Sequence, residues 1–216
     1  MYETDRGCPY TCTYCDWGGA IEDRISRFSM DQIYNDIMWS GERRIPYYFI
    51  CNANFGILPR DIQIAEFFAE CKAKYGTPEG VSTQNAKNPK KHTIEALKIL
   101  EKAGLNKATV MSQQSLNPAT LKAVRRDNMD LSEYYAMQKE LNAAGVYTMT
   151  DIIIPMPEET YRSIVDGHIA DVYSWLCLQG CGGGSGRECR TSHVNIESVR
   201  RVAAEVSAID DGVGTV

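Results

Sequence analysis

Along the first 170 residues, short apolar runs alternate with stretches in which apolar positions recur every three or four residues. That alternation is the pattern of a parallel sheet built from strand–helix units, and it predicts five of them. Residues 2–4 form a short first strand, followed by a loop that carries cysteines. Ser29 and Gln32 make a capping box, Met30, Ile33, Tyr34 and Ile37 share one helical face, and Gly41 is the expected stop. Residues 47–51 read as the second strand, and Ile64, Phe68, Cys71 and Tyr75 recur at helical spacing after Pro59.

Residues 80–84 form the third strand, residues 92–103 a helix ended by Gly104, and residues 108–112 the fourth strand. Asn117 followed by Pro118 is an N-cap with proline in the first turn, so a helix is expected from there to about residue 126. Asp130 with Glu133 caps a further helix that Gly145 ends. Residues 146–154 form a long apolar fifth strand closed by Pro155 and Pro157, and residues 158–169 are helical in pattern.

After residue 170 the character changes. Residues 179–190 read Q-G-C-G-G-G-S-G-R-E-C-R, which neither packs a core nor propagates a regular element, and Val199, Val202, Val206 and Ile209 then space out one more helix. The expected organisation is a core domain over 1–170 and a glycine-rich linker with a C-terminal helix over 171–216, an atypical or truncated end.

Composition narrows the function classes. The 216 residues are 44% hydrophobic and 24% charged with a net charge of -5, so no overall basic field points to nucleic acid or an anionic membrane, and a small-molecule substrate is the natural partner. No run approaches the roughly 18 apolar residues of a membrane span, and the start lacks a basic and then apolar export signal. The expected location is cytoplasmic. The 8 cysteines then read by spacing rather than as a disulfide framework.

Cys8, Cys12 and Cys15 form a C-x3-C-x2-C group on the loop after the first strand. Zinc would need a fourth ligand, and the next dozen residues offer carboxylates, Asp16 and Asp23 among them, but no histidine and no further cysteine. Three thiolates suit an iron–sulfur cube better, leaving one iron open to a ligand. Cys51 and Cys71 are expected to bury as small apolar groups. Lys87, Lys90 and Lys91 read as a solvated loop, and His168 and His193 as solvated side chains.

The stretch R-G-C-P-Y-T-C-T-Y-C-D-W-G from Arg6 resembles the cluster loop of the radical S-adenosylmethionine superfamily. Q-S-L-N-P-A-T-L-K-A-V-R-R from Gln114 resembles the fourth-strand segment of these enzymes, and D-I-I-I-P-M-P-E-E-T from Asp151 their fifth. The resemblance covers residues 1–170. It implies an α/β fold, a partial (βα)6-type TIM-like barrel of parallel strands, although the sixth unit is not evident here. It also implies a 4Fe-4S cluster on Cys8, Cys12 and Cys15 whose open iron chelates S-adenosylmethionine. An electron from the cluster, delivered by a donor such as a flavodoxin or ferredoxin, would cleave the sulfonium bond and yield a 5'-deoxyadenosyl radical for hydrogen abstraction or methyl transfer on a substrate that the residues do not name.

Matching positions carry over as expected cofactor contacts, each against a plainer reading. Tyr14 would pack on the adenine and cluster or simply fill space, and Gln84 would contact the amino-acid part of the cofactor or simply end a strand. Gln114 matches the fourth-strand polar residue, and Arg126, with Arg125 as its competitor, the arginine on the following helix that binds the carboxylate. Asp151 would accept from ribose hydroxyls or stand solvated at a strand end.

Two departures stand out. Where many relatives have a Gly-Gly-Glu-like segment, this chain has C-N-A-N-F-G, so Asn52 and Asn54 would replace that contact. Where many read G-L-P-G-E-T, it has P-M-P-E-E-T. The loop and the N-A-N-F-G segment lean toward the subgroup associated with cobalamin and methyl transfer, with cobalamin not encoded in this chain. Cys177, Cys181 and Cys189 would hold an auxiliary cluster or nothing. The rival readings are a non-catalytic iron–sulfur or zinc module and an inactive, incomplete barrel.

Overall fold

The computed structural model describes residues 1–17, 24–106 and 109–167. Its elements are β1 (Asp5–Arg6), β2 (Ser26–Arg27), α1 (Met30–Glu42), β3 (Tyr47–Phe55), α2 (Asp61–Tyr75), β4 (Gly80–Asn85), α3 (Lys91–Lys102), β5 (Thr109–Val110), α4 (Pro118–Ala123), α5 (Leu131–Ala143) and β6 (Thr148–Met149). Residues 161–167 are helical as well. Everything expected of residues 171–216, with Cys177, Cys181, Cys189 and His193, and of His168, lies outside the described residues. The chain divides into two compact units, one of residues 1–113 with 125–151, the other of 114–124 with the residues from 152 onward.

In the first unit, chain order is spatial order. Tyr2 bridges Ile50 of β3 in parallel, β3 pairs β4 in parallel from Tyr47↔Gly80 onward, and Val81 bridges Asn106, again in parallel. β5 and β6 form another parallel pair, Thr109↔Thr148 and Val110↔Met149. The fold is thus α/β with parallel strands, as the alternating pattern requires. Helices cover one face: Ile33 and Ile37 of α1, Ile64 and Phe68 of α2 and Leu100 of α3 are fully buried against Ile50 and Phe55. Each such side chain contributes about 1.5–3 kcal/mol of transfer free energy.

Several boundaries differ from the sequence expectation. The first strand makes only the single bridge at Tyr2; the chain then turns, and β1 pairs antiparallel with β2, closing the cysteine loop into a ribbon. β3 runs on to Phe55, and β4 to Asn85. Gly41 does not stop α1 but lies buried inside it, because a Cβ there would meet Cys71 Sγ at 2.5 Å and Tyr75 Cδ2 at 2.4 Å. The absent side chain lets Cys71 and Tyr75 of α2 pack directly onto α1 here. Cys71 buries fully as expected, whereas Cys51 is only half-buried. Among the described residues the fifth strand covers Thr148–Met149, paired with Thr109 and Val110 of β5.

In the second unit, Asn117 caps α4 by accepting from Ala119 N at 3.0 Å. The helix ends at Ala123, short of the expected residue 126, with Val124 as its C-cap. Gln114 bridges Ile152 in parallel, and Ile153 N donates to Gln114 O at 3.0 Å. No helix among the described residues is long and apolar enough to cross a membrane.

Candidate functional site

The cysteine loop begins at a glycine that no other residue replaces. Gly7 has φ +117, and a Cβ on it would lie 2.0 Å from Arg24 O, so the chain enters the loop pressed against its own return strand. Cys15 N donates to Cys12 O at 3.2 Å, forming the turn that brings the second and third thiols round. Cys8 and Cys12 are buried, Cys15 is half-buried, and none of the three is in a disulfide.

Strand β3 supplies the floor. Residues 52 and 54 fall on the same face of a strand because side chains alternate. Asn52, 1% exposed, donates to Thr4 Oγ1 at 2.6 Å and Asp5 Oδ2 at 2.7 Å and accepts from Thr4 N at 2.9 Å. Its amide donors are therefore engaged in fastening the segment that leads into the loop. Asn54 lies two residues on and reaches the loop itself, its Nδ2 donating to Cys8 Sγ at 3.1 Å. Its Oδ1 is buried without a partner.

Two carboxyl groups lie beneath. Burial pushes Asp5 up to about 7, with repulsion from Asp61 adding to it and Arg60 and Arg27 opposing. Asp61 is pushed up to about 6 by burial, tempered by the backbone N–H groups of Leu58 and Gly56 that its Oδ2 accepts.

The opposite wall is Arg126. Only 4% exposed, its guanidinium donates from Nη1 to Tyr14 Oη at 3.0 Å, from Nε to Asn128 Oδ1 at 2.6 Å and from Nη2 to Ser112 O at 2.5 Å. All three acceptors are neutral, and no carboxylate among the described residues forms an ion pair with it. A buried cation in such surroundings favours an anionic ligand, because unpaired charge away from water is costly. Arg126 is not on the helix, as the sequence pattern had it; it follows Arg125, whose φ of 54 turns the chain after α4. Burial pushes the Tyr14 phenol up to about 12.

Arg125, Arg126, Lys87 and Asp127 line, with Tyr10 and Cys12, a cleft of about 170 Å³ beside the loop. Lys87 Nζ sits 5.3 Å from the centroid of the Tyr14 ring, so this lysine is tied to the site rather than merely solvated.

The remaining expected residues fall in different places. Asp151 is exposed and accepts from Ser112 Oγ at 3.3 Å, which links it through Ser112 to Arg126. Gln84 lies on the exposed face of β4; its neighbour Asn85 is buried, with an unpartnered Nδ2. Gln114, in the second unit, has φ 67 and a buried Oε1 without a partner, a strained and unsatisfied residue of the kind that marks ligand contacts. Sequence reasoning missed Ser112, Asn128 and Asn85. Ser112 acts through its backbone carbonyl, which carries no residue signature, and nothing in the spacing marks the two asparagines.

The donor set fits an iron–sulfur cube with an anionic ligand: three cysteine thiols on one loop, a buried arginine with only neutral partners, and a buried amide oxygen awaiting a donor. A closed zinc site would hold its thiolates about 3.8 Å apart. Among the described residues no three His, Cys, Asp or Glu side chains gather around a single-ion position.

Comparison with known proteins is consistent with this geometry. The family model described as "Radical SAM superfamily" matches residues 2–166. The cobalamin-dependent radical SAM methyltransferase TokK of Streptomyces tokunonensis is 37% identical over 167 residues, which cover 77% of this chain and 24% of that protein. The 2-(S-pantetheinyl)-carbapenam-3-carboxylate methyltransferase of Streptantibioticus cattleyicolor is 36% identical over the same shares. The chain thus spans about a quarter of the length of these relatives. Among solved structures, the radical S-adenosylmethionine methyltransferase TsrM of Kitasatospora setae, with cobalamin and a [4Fe-4S] cluster bound, superposes with TM-score 0.67 at 14% identity, covering 80% of this chain and 32% of that one. HydG, a maturase of the [FeFe]-hydrogenase, gives 0.53 at 16% identity, covering 84% and 39%. At these identities the structural matches speak for the fold.

Proposed function

Because the chain belongs to the radical S-adenosylmethionine superfamily, we propose that residues 1–170 are a radical enzyme core of partial (βα)6 type, with Cys8, Cys12 and Cys15 as the ligands of a 4Fe-4S cluster. The reaction is methyl transfer to a small molecule, with cobalamin binding lying outside this chain. The observation that carries the reading is the buried guanidinium of Arg126, paired only with neutral groups and hydrogen-bonded to Tyr14 of the cysteine loop.

When bound, the cluster supplies one electron and an open iron for the reductive cleavage of S-adenosylmethionine. The chain's residues bind and orient. Arg126 takes the cofactor carboxylate with its remaining N–H donors, Asn54 Oδ1 accepts from the amino group, and Tyr14 packs against the adenine end. Asn52 holds the strand leading into the loop, Gln84 and Gln114 contribute polar contacts, and Asp151 accepts from the ribose hydroxyls. The electron donor is a one-electron carrier of the flavodoxin or ferredoxin kind. A cytoplasmic setting completes the reading.

The test is anaerobic reconstitution with iron and sulfide, reduction, addition of S-adenosylmethionine and assay of 5'-deoxyadenosine. Formation that is lost in Cys12→Ala supports the reading. A loaded, reduced cluster that yields none would favour the inactive, incomplete barrel.

A further inference from the structure

On the strength of the cluster reading above, we infer that Asn54 is a positioning residue that raises the reduction potential of the cluster by donating a hydrogen bond from its side-chain amide to the sulfur of Cys8. The contact is 3.1 Å from Nδ2 to Sγ, in a position 1% exposed for Asn54 and 5% for Cys8. Among the described residues the Cys8 sulfur is the hydrogen-bond partner of this amide nitrogen, and the orientation follows from chemistry: a thiolate accepts, so the nitrogen faces it and the oxygen faces away.

The strand end that carries Asn54 is built to hold it still. One residue on, Phe55 is fully buried and its carbonyl accepts from Ala86 N at 2.9 Å. Then Gly56, at φ +87, donates to Asp61 Oδ2 at 2.8 Å and accepts from Thr93 Oγ1 at 2.6 Å. On the other side Asn52 fixes Thr4 and Asp5, just before the first cysteine. The donor and the sulfur are thus each anchored to the same strand, and the hydrogen bond is preorganised rather than formed on demand.

Reduction adds one electron, delivered by a low-potential carrier, and part of the added charge spreads onto the cysteine sulfurs. An N–H aimed at one of them, away from water, stabilises the more negative state more than the less negative one. Hydrogen bonds to the sulfurs are among the levers that set cluster potentials. Removing this donor therefore makes the cluster harder to reduce. We expect the ratio of reduced to oxidised cluster at a fixed poise to fall about tenfold in Asn54→Leu, a midpoint about 59 mV more negative for a one-electron couple.

The experiment is a reductive dye titration of the anaerobically reconstituted full chain, followed by electron paramagnetic resonance, on wild type, Asn54→Leu and Asn54→Asp. Support is a more negative midpoint in Asn54→Leu at full iron content, and a still more negative one in Asn54→Asp, which replaces the donor with charge. A loaded Asn54→Leu with an unchanged midpoint overturns the inference while leaving the cluster assignment standing. Should neither variant load, pulsed resonance on reduced wild type grown with ¹⁵N-asparagine decides: a hyperfine coupling to a side-chain amide nitrogen supports the bond, and no coupling overturns it. A wild type that takes up no four-iron cluster at all overturns the functional reading and this inference together.

Discussion

Arg126 Nη1 and Tyr14 Oη meet at 3.0 Å although 112 positions separate them in the chain. The bond fixes the third-cysteine end of the loop to the turn that follows α4, and leaves the guanidinium charge unmatched. Arg126→Lys keeps the charge but loses the fork. Since charge-assisted hydrogen bonds contribute about 1.5–3 kcal/mol, S-adenosylmethionine affinity should fall about 10- to 100-fold while iron content stays full. Equilibrium binding to the reconstituted protein checks this; unchanged affinity would remove Arg126 from the carboxylate role.

Cys12 and Cys71 are both buried, and only one lies on the loop. Cys12→Ala should abolish loading of a four-iron cluster, and Cys71→Ala should leave it intact. Iron and sulfide analysis separates the two. Full loading in Cys12→Ala would sink the ligand assignment.

Gly41 should tolerate no side chain while Cys71 and Tyr75 face it. Gly41→Ala forces Sγ and the tyrosine ring aside, which overpacking data put at about 1–3 kcal/mol. Adding Cys71→Ala clears one of the two obstructions, so the double variant should recover part of the loss in a urea melt. A double variant no more stable than Gly41→Ala would mean the close approach lies elsewhere.

Asp5 should make stability pH-dependent in a direction opposite to a salt-bridged aspartate. Its folded pKa stands near 7, above the ordinary value of 3.8, so the folded state holds the proton more tightly than the unfolded one. The stabilising contribution is complete below pH 3.8 and is lost as pH rises toward 7. Asp5→Asn keeps an acceptor for Asn52 Nδ2 and removes the charge. Its urea-melt stability should exceed wild type at pH 7.5 and fall less between pH 4 and 7, with Asp61 leaving some residual slope. A variant with an undiminished slope would assign the titration elsewhere.

Much of the α/β alternation was legible because burial imposes a period. Ile64, Phe68 and Cys71 face the core of α2 as their spacing requires. The capping residues Ser29, Asn117 and Asp130 also accept from the backbone N–H groups that they were expected to cap. What the pattern hid depends on partners distant in sequence. Gly41 resembles a helix stop until Cys71 and Tyr75 are seen beside it. Residues 146–154 form an apolar run, yet among the described residues the ladder with β5 takes in only Thr148 and Met149, because strand pairing depends on a partner that the run itself does not name. At the site, the cysteine spacing announced itself. The tie from Arg126 to Ser112 O did not, because a backbone carbonyl leaves no trace in the residue alphabet.

The central claim is that the cysteine loop presents a cluster with an iron open to S-adenosylmethionine. The most direct measurement is the electron paramagnetic resonance spectrum of the reduced, reconstituted protein with and without S-adenosylmethionine. The account predicts a four-iron signal whose g values shift on addition, with the shift weakened in Arg126→Lys. A signal unchanged by saturating S-adenosylmethionine, or a protein that takes up zinc and no iron, would contradict it.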